Sequence, residues 1–490
     1  MSNLPEIRMV EGRAGLYVDG EPFLALGAQW DFRNTIAPER SEFLYAHAAA
    51  MNCTTAYVPV LWRQVEPAPG RFAYDFIDRQ LALAARYGLK LVLLWFGSNR
   101  GGSMRFKNRY YPSGDREEYT YQVPDYVQNN PAVYRRACLP DGTVREALCP
   151  ACRATLGAET AAFRAALGRL REVDRARVVV LMQVENEIST PDSGRLSFPP
   201  RCCCPACNEA FARSAREERE FGDRAYGDYV AALVEAGAEV YPLPFYVNFV
   251  GTPRPGENIA YYLEKAPHLA SCAPDIYAGD TEGFRRVMSA FAVGRNVPLV
   301  AETSSDTKDP TEKNLYYALA EGGAVGFDLW AIDCAYGLGA WEEGYAHRTP
   351  LVDLEGRWSS KAYQIRAEFG ILRRVMAPLV RHRRTERLQW FTAQGEPLRL
   401  PLTLPGCAGE IEAEAEGRGM AILTGPGDLT LAGHGFTTRL SCRGEAAAET
   451  GAWAGDAWVP EGGPVEVERI EDGIRVALPE PGVVRVRISC

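Results

Sequence analysis

The feature that most constrains this chain is an alternation of two textures, repeated eight times between residues 23 and 331. Compact apolar runs of strand length come first: "FLALGAQ" (23–29), "TTAYVPVLW" (54–62), "KLVLLWFG" (90–97) and "RVVVLMQVENE" (177–187). "FYVNFV" (245–250), "APDIYA" (273–278), "PLVAETS" (298–304) and "AVGFDLWA" (324–331) complete the set. Between them lie stretches of helical period. In 74–88, Ile77, Leu81 and Ala84 share a face, Asp75 can cap the start and Gly88 suits the stop. Helices are likewise expected over 155–173, 226–240, 311–322 and 359–377.

Strands that are apolar along their whole length belong in a parallel sheet covered on both faces. Eight strand–helix units in one chain fit a (β/α)8 TIM barrel. An open doubly wound sheet is the alternative, but one that bound a dinucleotide would carry a Gly-rich first turn, and "LGAQWDF" is not one. Past residue 385 the pattern shifts to short alternation broken by Gly and Pro, as in "GRGMAILTGPGDLTLAGHGFTTRL". The expected organisation is therefore a barrel over 1–385, opened by a short N-terminal hairpin with Asp19-Gly20 as its turn, and a small antiparallel β-sandwich over 386–490.

The net charge of −9 and pI near 5.4 argue against nucleic-acid binding. No apolar run approaches the roughly 20 residues that span a bilayer, and there is no polybasic patch for a membrane surface. The opening "MSNLPEIRMVEGRAG" lacks the apolar segment of a secretion signal. The 13 cysteines thus read as free thiols or metal ligands rather than a disulfide framework, and the expected location is cytoplasmic.

Chemistry enters where the strands end. An unpartnered buried carboxylate is costly, so a Val- and Leu-rich strand closing in "QVENE" calls for a reason. On a barrel, the C-terminal strand ends form the rim where reacting groups gather. Asn186–Glu187 closes the fourth strand and Glu302 the seventh, so two carboxylates can face each other across the mouth. That is the arrangement for cleaving a glycosidic bond: one carboxyl protonates the leaving oxygen while the other, ionised, meets the oxocarbenium-like carbon. Asn186 can hold a sugar hydroxyl. Glu185 shares strand parity with Gln183 and Glu187 and reads as a buried, hydrogen-bonded residue; Glu66 reads as an organiser of the loop after the second strand. The five histidines form no cluster, against a His-based metal or triad mechanism.

These motifs resemble the clan A glycoside hydrolases, and within them the β-galactosidase families 42 and 35. "QVENE" is similar to their fourth-strand motif, "AETSSD" to their seventh-strand glutamate, and "VEPAPGRFAYDFID" to a segment between strands two and three; the likeness runs over roughly residues 20–385. The loop over 98–150 departs from both families. The resemblance implies a retaining exo-glycosidase, most closely a β-galactosidase acting on small oligosaccharides, with Glu187 as acid/base, Glu302 as nucleophile and Asn186 on the 2-hydroxyl. For the sugar it points to Trp330 at the end of the eighth strand and Arg33 after the first; Tyr277, Asn248, Trp95 and Trp62 are candidates by their own positions at strand ends. No cofactor is needed for catalysis. Two alternatives stay open: a clan A enzyme of another specificity, such as a β-glucosidase or arabinosidase, and a non-catalytic carbohydrate-binding barrel. A homo-oligomer is left open as well.

A second cluster is made of sulfur. "LCPACRATL" (148–156) and "RCCCPACNEAF" (201–211) follow the third and fourth strands, whose loops are neighbours in a barrel. Together they can supply four thiolates to a tetrahedral structural zinc. Similarity to some family 42 enzymes implies Cys149, Cys202, Cys204 and Cys207 as the ligands, with Cys152 as a substitute; reduced surface thiols or a disulfide are the other reading. Cys53, Cys138, Cys272, Cys334, Cys407, Cys442 and Cys490 are expected to be packing residues.

Overall fold

All eight apolar runs pair as parallel strands and close into a barrel, the eighth hydrogen-bonded to the first. In chain order the strands are Ala25–Gln29, Thr55–Leu61, Lys90–Phe96, Val179–Val184, Phe245–Phe249, Leu269–Ile276, Val300–Thr303 and Gly326–Leu329. They are called the first to the eighth below. The computed structural model describes residues 4–30, 41–98, 104–107, 117–120, 122–188, 200–250, 254–333, 351–353 and 355–488. Arg33, Cys334 and Cys490 lie outside these residues.

The strands need apolar side chains on both faces because each face is covered. Inside the barrel, Tyr57, Leu94, Phe96, Tyr246 and Leu299 form one cluster. Residues of opposite parity, such as Val58, Leu93 and Trp95, pack outward on the helices. Gly27 on the first strand is required by this filling: a Cβ there would stand 2.0 Å from the Tyr57 ring, whose hydroxyl donates to the Ala25 carbonyl at 3.1 Å.

The expected helices form as Asp75–Tyr87, Arg153–Val173, Glu218–Ala238, Thr311–Tyr316 with a π-helical continuation Tyr317–Glu321, and Ser360–Arg374. Asp75 is not the cap, however. Tyr74 holds that position without a side-chain hydrogen bond, and Asp75 is the first helical residue, where its charge favours the positive end of the helix dipole. Gly88 ends the helix at φ 67° as expected. The last helix is broken at Val375 and resumes as Met376–His382, since Pro378 has no N–H to offer the Arg374 carbonyl. Among the described residues, six shorter helices were not read from the sequence: Ser41–Ala50, Trp62–Val65, Asp125–Gln128, Pro205–Ala212, Pro255–Lys265 and Thr281–Ala290. No described helix is long and apolar enough to cross a membrane.

At the N-terminus, strands Arg13–Val18 and Glu21–Phe23 form the expected hairpin, with Asp19 and Gly20 both at positive φ, and Glu6–Val10 adds a third strand. Leu16 and Val18 join the barrel's interior cluster and close its lower end. Arg383, fully buried, ties this closure to the barrel by donating to the carbonyls of Ala324 and Ala14.

From Leu388 onward the chain forms a nine-stranded antiparallel sheet built around two long strands, Gly409–Gly425 and Asp428–Ser441. Its alternation serves two cores. Met420, Ile422, Ala432 and Val483 pack with the barrel's outer layer, while Ala421, Leu423, Leu431 and Val484 face a core of the sheet's own. Between barrel and sheet, Arg418 reaches the buried carboxylate of Glu368 at 2.6 Å.

Candidate active site

The rim residues are set by backbone conformations that side-chain-bearing residues seldom take. Glu185, Glu187 and Ala331 lie at φ 63°, 51° and 49°, in the left-handed region. Such positions persist only where surroundings hold them, and they gather at functional sites. Glu187 is held by its own N–H, which donates to Asn248 Oδ1 on the fifth strand at 2.8 Å. Asn248 Nδ2 donates in turn to Asn186 Oδ1 at 3.3 Å and to both oxygens of Asp275 at 3.2 and 3.1 Å. Gln183 Nε2 also donates to Asn186 Oδ1, at 3.1 Å. With that oxygen committed twice over, the Asn186 amide has a fixed orientation.

Glu302, 4% exposed, is gripped at both oxygens. Gln29 Nε2 on the first strand donates to Oε1 at 3.1 Å, and the Tyr277 hydroxyl donates to Oε2 at 2.5 Å. Its backbone neighbour in the sheet is Asp275. One carboxylate oxygen from each of Glu187, Asp275 and Glu302 lies within 4.8 Å of the other two. On the eighth strand Asp328 is fully buried, and neither of its oxygens has a hydrogen-bond partner among the described residues. Burial, reinforced by the nearby charge of Glu302, pushes its carboxyl well above the usual carboxylate range.

The other residues singled out in the sequence divide. Trp330 and Tyr277 meet edge to face at the mouth, ring centres 5.9 Å apart, with Tyr277 37% exposed. Asn248 is fully buried, and its amide is spent on Glu187, Asn186 and Asp275; it supports the site from beneath rather than meeting a sugar. Trp95 is a correction. Its indole faces the helix layer, fully buried, with Nε1 donating to Glu159 at 2.9 Å and its ring against Phe163. Strand parity decides this, since Leu94 and Phe96 take the inward positions. Trp62 is likewise fully buried and donates to Glu66 at 3.0 Å. Glu66 also accepts from the Gly70 N–H and the Tyr126 hydroxyl, as befits a loop organiser. Glu185 accepts from the N–H and hydroxyl of Ser98 at 2.8 and 3.0 Å. Gln29 and Asp275 were not read from the sequence, where each is one polar residue in an otherwise ordinary strand.

Cys149, Cys202, Cys204 and Cys207 converge, all buried, with their sulfurs within 4.8 Å of one another. Cys149 Sγ lies 3.4 Å from that of Cys207 and 3.9 Å from that of Cys204. Four sulfurs bound tetrahedrally to zinc stand about 3.8 Å apart, so the cage has the right size. The Cys204 N–H points at Cys202 Sγ at 3.5 Å, and the Cys203 N–H donates to the Cys138 carbonyl at 2.8 Å, which joins the two loops. Cys152 stands outside the cage as the N-cap of helix Arg153–Val173, its thiol directed at the Val133 carbonyl.

No family model matches the chain, and no curated protein matches it. Among solved structures it is similar to the exo-β-1,4-mannosidase Op5Man5 from Opitutaceae bacterium strain TAV5, with TM-score 0.47 and 15% identity over 72% of this chain and 60% of that one. It is similar to a β-galactosidase from Bacillus circulans sp. alkalophilus, with TM-score 0.48 and 11% identity over 72% of this chain and 56% of that one. An endogalactoceramidase matches at TM-score 0.46 and 15% identity, over 99% of this chain and 100% of that one. The chain thus spans three fifths or less of the first two proteins. Likeness at this level assigns no activity.

Proposed function

We propose that the chain is a retaining exo-glycoside hydrolase with Glu187 as acid/base, Glu302 as nucleophile and β-galactosides as its substrate class. The observation that carries the reading is the spacing of the two carboxylates, whose nearest oxygens are within 4.8 Å. Retaining enzymes hold the pair about 5–5.5 Å apart, whereas inverting ones need about 6.5–9.5 Å to admit a water.

In the first step Glu302 attacks the anomeric carbon as Glu187 gives its proton to the leaving oxygen. In the second, Glu187 takes a proton from water, which displaces Glu302 from the sugar. Gln29 and Tyr277 aim the Glu302 oxygens and stabilise its charge until attack. The Asn186 amide suits the 2-hydroxyl, and Trp330 with Tyr277 offers aromatic surface to the sugar's C–H face. The galactoside itself is the sugar that the resemblance of the motifs implies.

A panel of nitrophenyl glycosides with wild type, Glu187→Gln and Glu302→Gln tests the reading. Turnover of the β-galactoside by wild type alone supports it. Turnover of a different glycoside keeps the mechanism and changes the sugar; sugar binding without turnover leaves a carbohydrate-binding barrel.

The four-cysteine cage is read as a structural zinc site, since four thiolates leave no open position for chemistry. Elemental analysis is expected to give one zinc per chain. Cys207→Ser, or a strong chelator, is expected to lower the melting temperature by about 5 °C or more. A chain purified without zinc that melts at the same temperature with and without chelator would remove the site.

A further inference from the structure

Asp275 sits beside the proposed catalytic pair but has no part in the two bond-breaking steps. It is 7% exposed, next to Glu302 across the sheet, with a carboxylate oxygen within 4.8 Å of those of Glu187 and Glu302. Among the described residues it accepts from Asn248. A side-chain amide has a donor end and an acceptor end of nearly equal shape, so its surroundings must choose between the two orientations. An ionised carboxylate only accepts. Asp275 therefore turns the NH2 end of Asn248 toward itself, at 3.2 and 3.1 Å, and leaves Oδ1 to take the Glu187 N–H at 2.8 Å. That last bond fixes a glutamate at φ 51°, a conformation it would not hold alone.

The second consequence is electrostatic. Among the described residues, the titratable groups turned toward this cluster are Tyr57 from the second strand, Glu187 from beyond the fourth, Tyr246 from the fifth, Asp275 and Tyr277 from the sixth, Glu302 from the seventh and Asp328 from the eighth. Among the described residues, Asp275 and Glu302 each bring a carboxylate oxygen within 4.8 Å of one of Glu187, so an ionised Asp275 is a like charge at short range. A like charge at this distance favours the protonated form of its neighbour, which is the form a general acid must hold before the first step.

We infer that Asp275 is a positioning residue for Glu187, acting on its backbone through Asn248 and on its proton through charge. The inference rests on the reading of Glu187 and Glu302 given above. In the folded enzyme, kcat/KM is measured against pH for wild type, Asp275→Asn and Asp275→Glu on a glycoside that wild type cleaves, with thermal melts to confirm folding. Asp275→Asn removes the charge and lets the Asn248 amide turn over. Its kcat/KM is expected to fall about tenfold or more, and the alkaline limb of its profile to move about one pH unit toward acid. Asp275→Glu, which keeps the charge, is expected to leave the limb in place. Should Asp275→Asn fail to fold, Asp275→Ala must show the same displacement of the limb.

An alkaline limb for Asp275→Asn that coincides with wild type, or one displaced equally in Asp275→Glu, overturns the inference. The two failures can be told apart. If Glu302→Gln abolishes turnover while Asp275→Asn leaves the profile untouched, this inference alone is lost. A wild type that cleaves no glycoside sinks the catalytic reading together with it.

Discussion

Glu302→Gln is expected to lose turnover by about four orders of magnitude or more, with the fold and the melting temperature nearly unchanged. The amide matches the carboxylate in size and can keep one of the contacts from Gln29 and Tyr277, but it cannot attack an anomeric carbon. Glu187→Gln should behave differently. Its loss depends on the leaving group, because the missing function is proton donation, worth about 10²–10⁴ for a poor leaving group. A dinitrophenolate needs no proton, so the first step on that substrate is expected to survive and the intermediate on Glu302 to accumulate. Steady-state rates on one sugar with a graded series of aglycones check both variants. A Glu302→Gln enzyme within tenfold of wild type would exclude Glu302 as nucleophile.

The largest stability effect is expected at the contact between barrel and sheet, far from the mouth. Glu368, fully buried on helix Ser360–Arg374, accepts from Arg418 at 2.6 Å, from His434 at 2.9 Å and from the Tyr316 hydroxyl at 2.6 Å. Arg418 is itself only 5% exposed. Glu368→Gln leaves that guanidinium buried without its counter-charge, at a cost of about 3–5 kcal/mol in urea unfolding. Replacing both residues by Met removes the two desolvation penalties together, so the double variant is expected to lose much less than Glu368→Gln.

The same network sets a pH dependence. Burial alone would raise the Glu368 carboxyl, but the His434 contact, the Arg418 charge and the Tyr316 hydroxyl together hold it below 4.5, its ordinary value. A carboxyl lowered on folding stabilises the protein fully above its unfolded pKa, and that contribution is lost as pH falls through the folded value. The melting temperature of wild type is therefore expected to drop below about pH 4.5 more steeply than that of the double Met variant.

Why some of this could be read from the sequence and some could not comes down to how many polarity signals each element carries. The eight strands stand out because parallel strands covered on both sides leave uninterrupted apolar runs. The convergence of Glu187 with Glu302 could be expected because a charge at the end of such a run is conspicuous; paired CxxC motifs drew attention to the cysteines, while the choice of Cys149, Cys202, Cys204 and Cys207 among them came from the resemblance. The same uniformity hid the facing of Trp95: in "LVLLWFG" both faces are apolar, so nothing in the pattern says which residue looks inward. Asp275 and Gln29 were missed because one polar residue inside a strand looks alike whether it serves a site or satisfies a backbone group. Asn248 was placed at the right strand end but at the wrong depth, and depth follows from the barrel's layering rather than from local sequence. Short helices such as Ser41–Ala50 offer too few turns for their period to emerge.

On the proposed reading, two acids with oxygens within 4.8 Å of each other call for double displacement and a retained anomeric configuration, whichever β-glycoside is cleaved. Proton NMR of the product in the first minutes of hydrolysis, before mutarotation, reads that outcome directly. The β-anomer appearing first is the predicted result; the α-anomer appearing first would mean a single inverting displacement and contradict the pairing of Glu187 with Glu302.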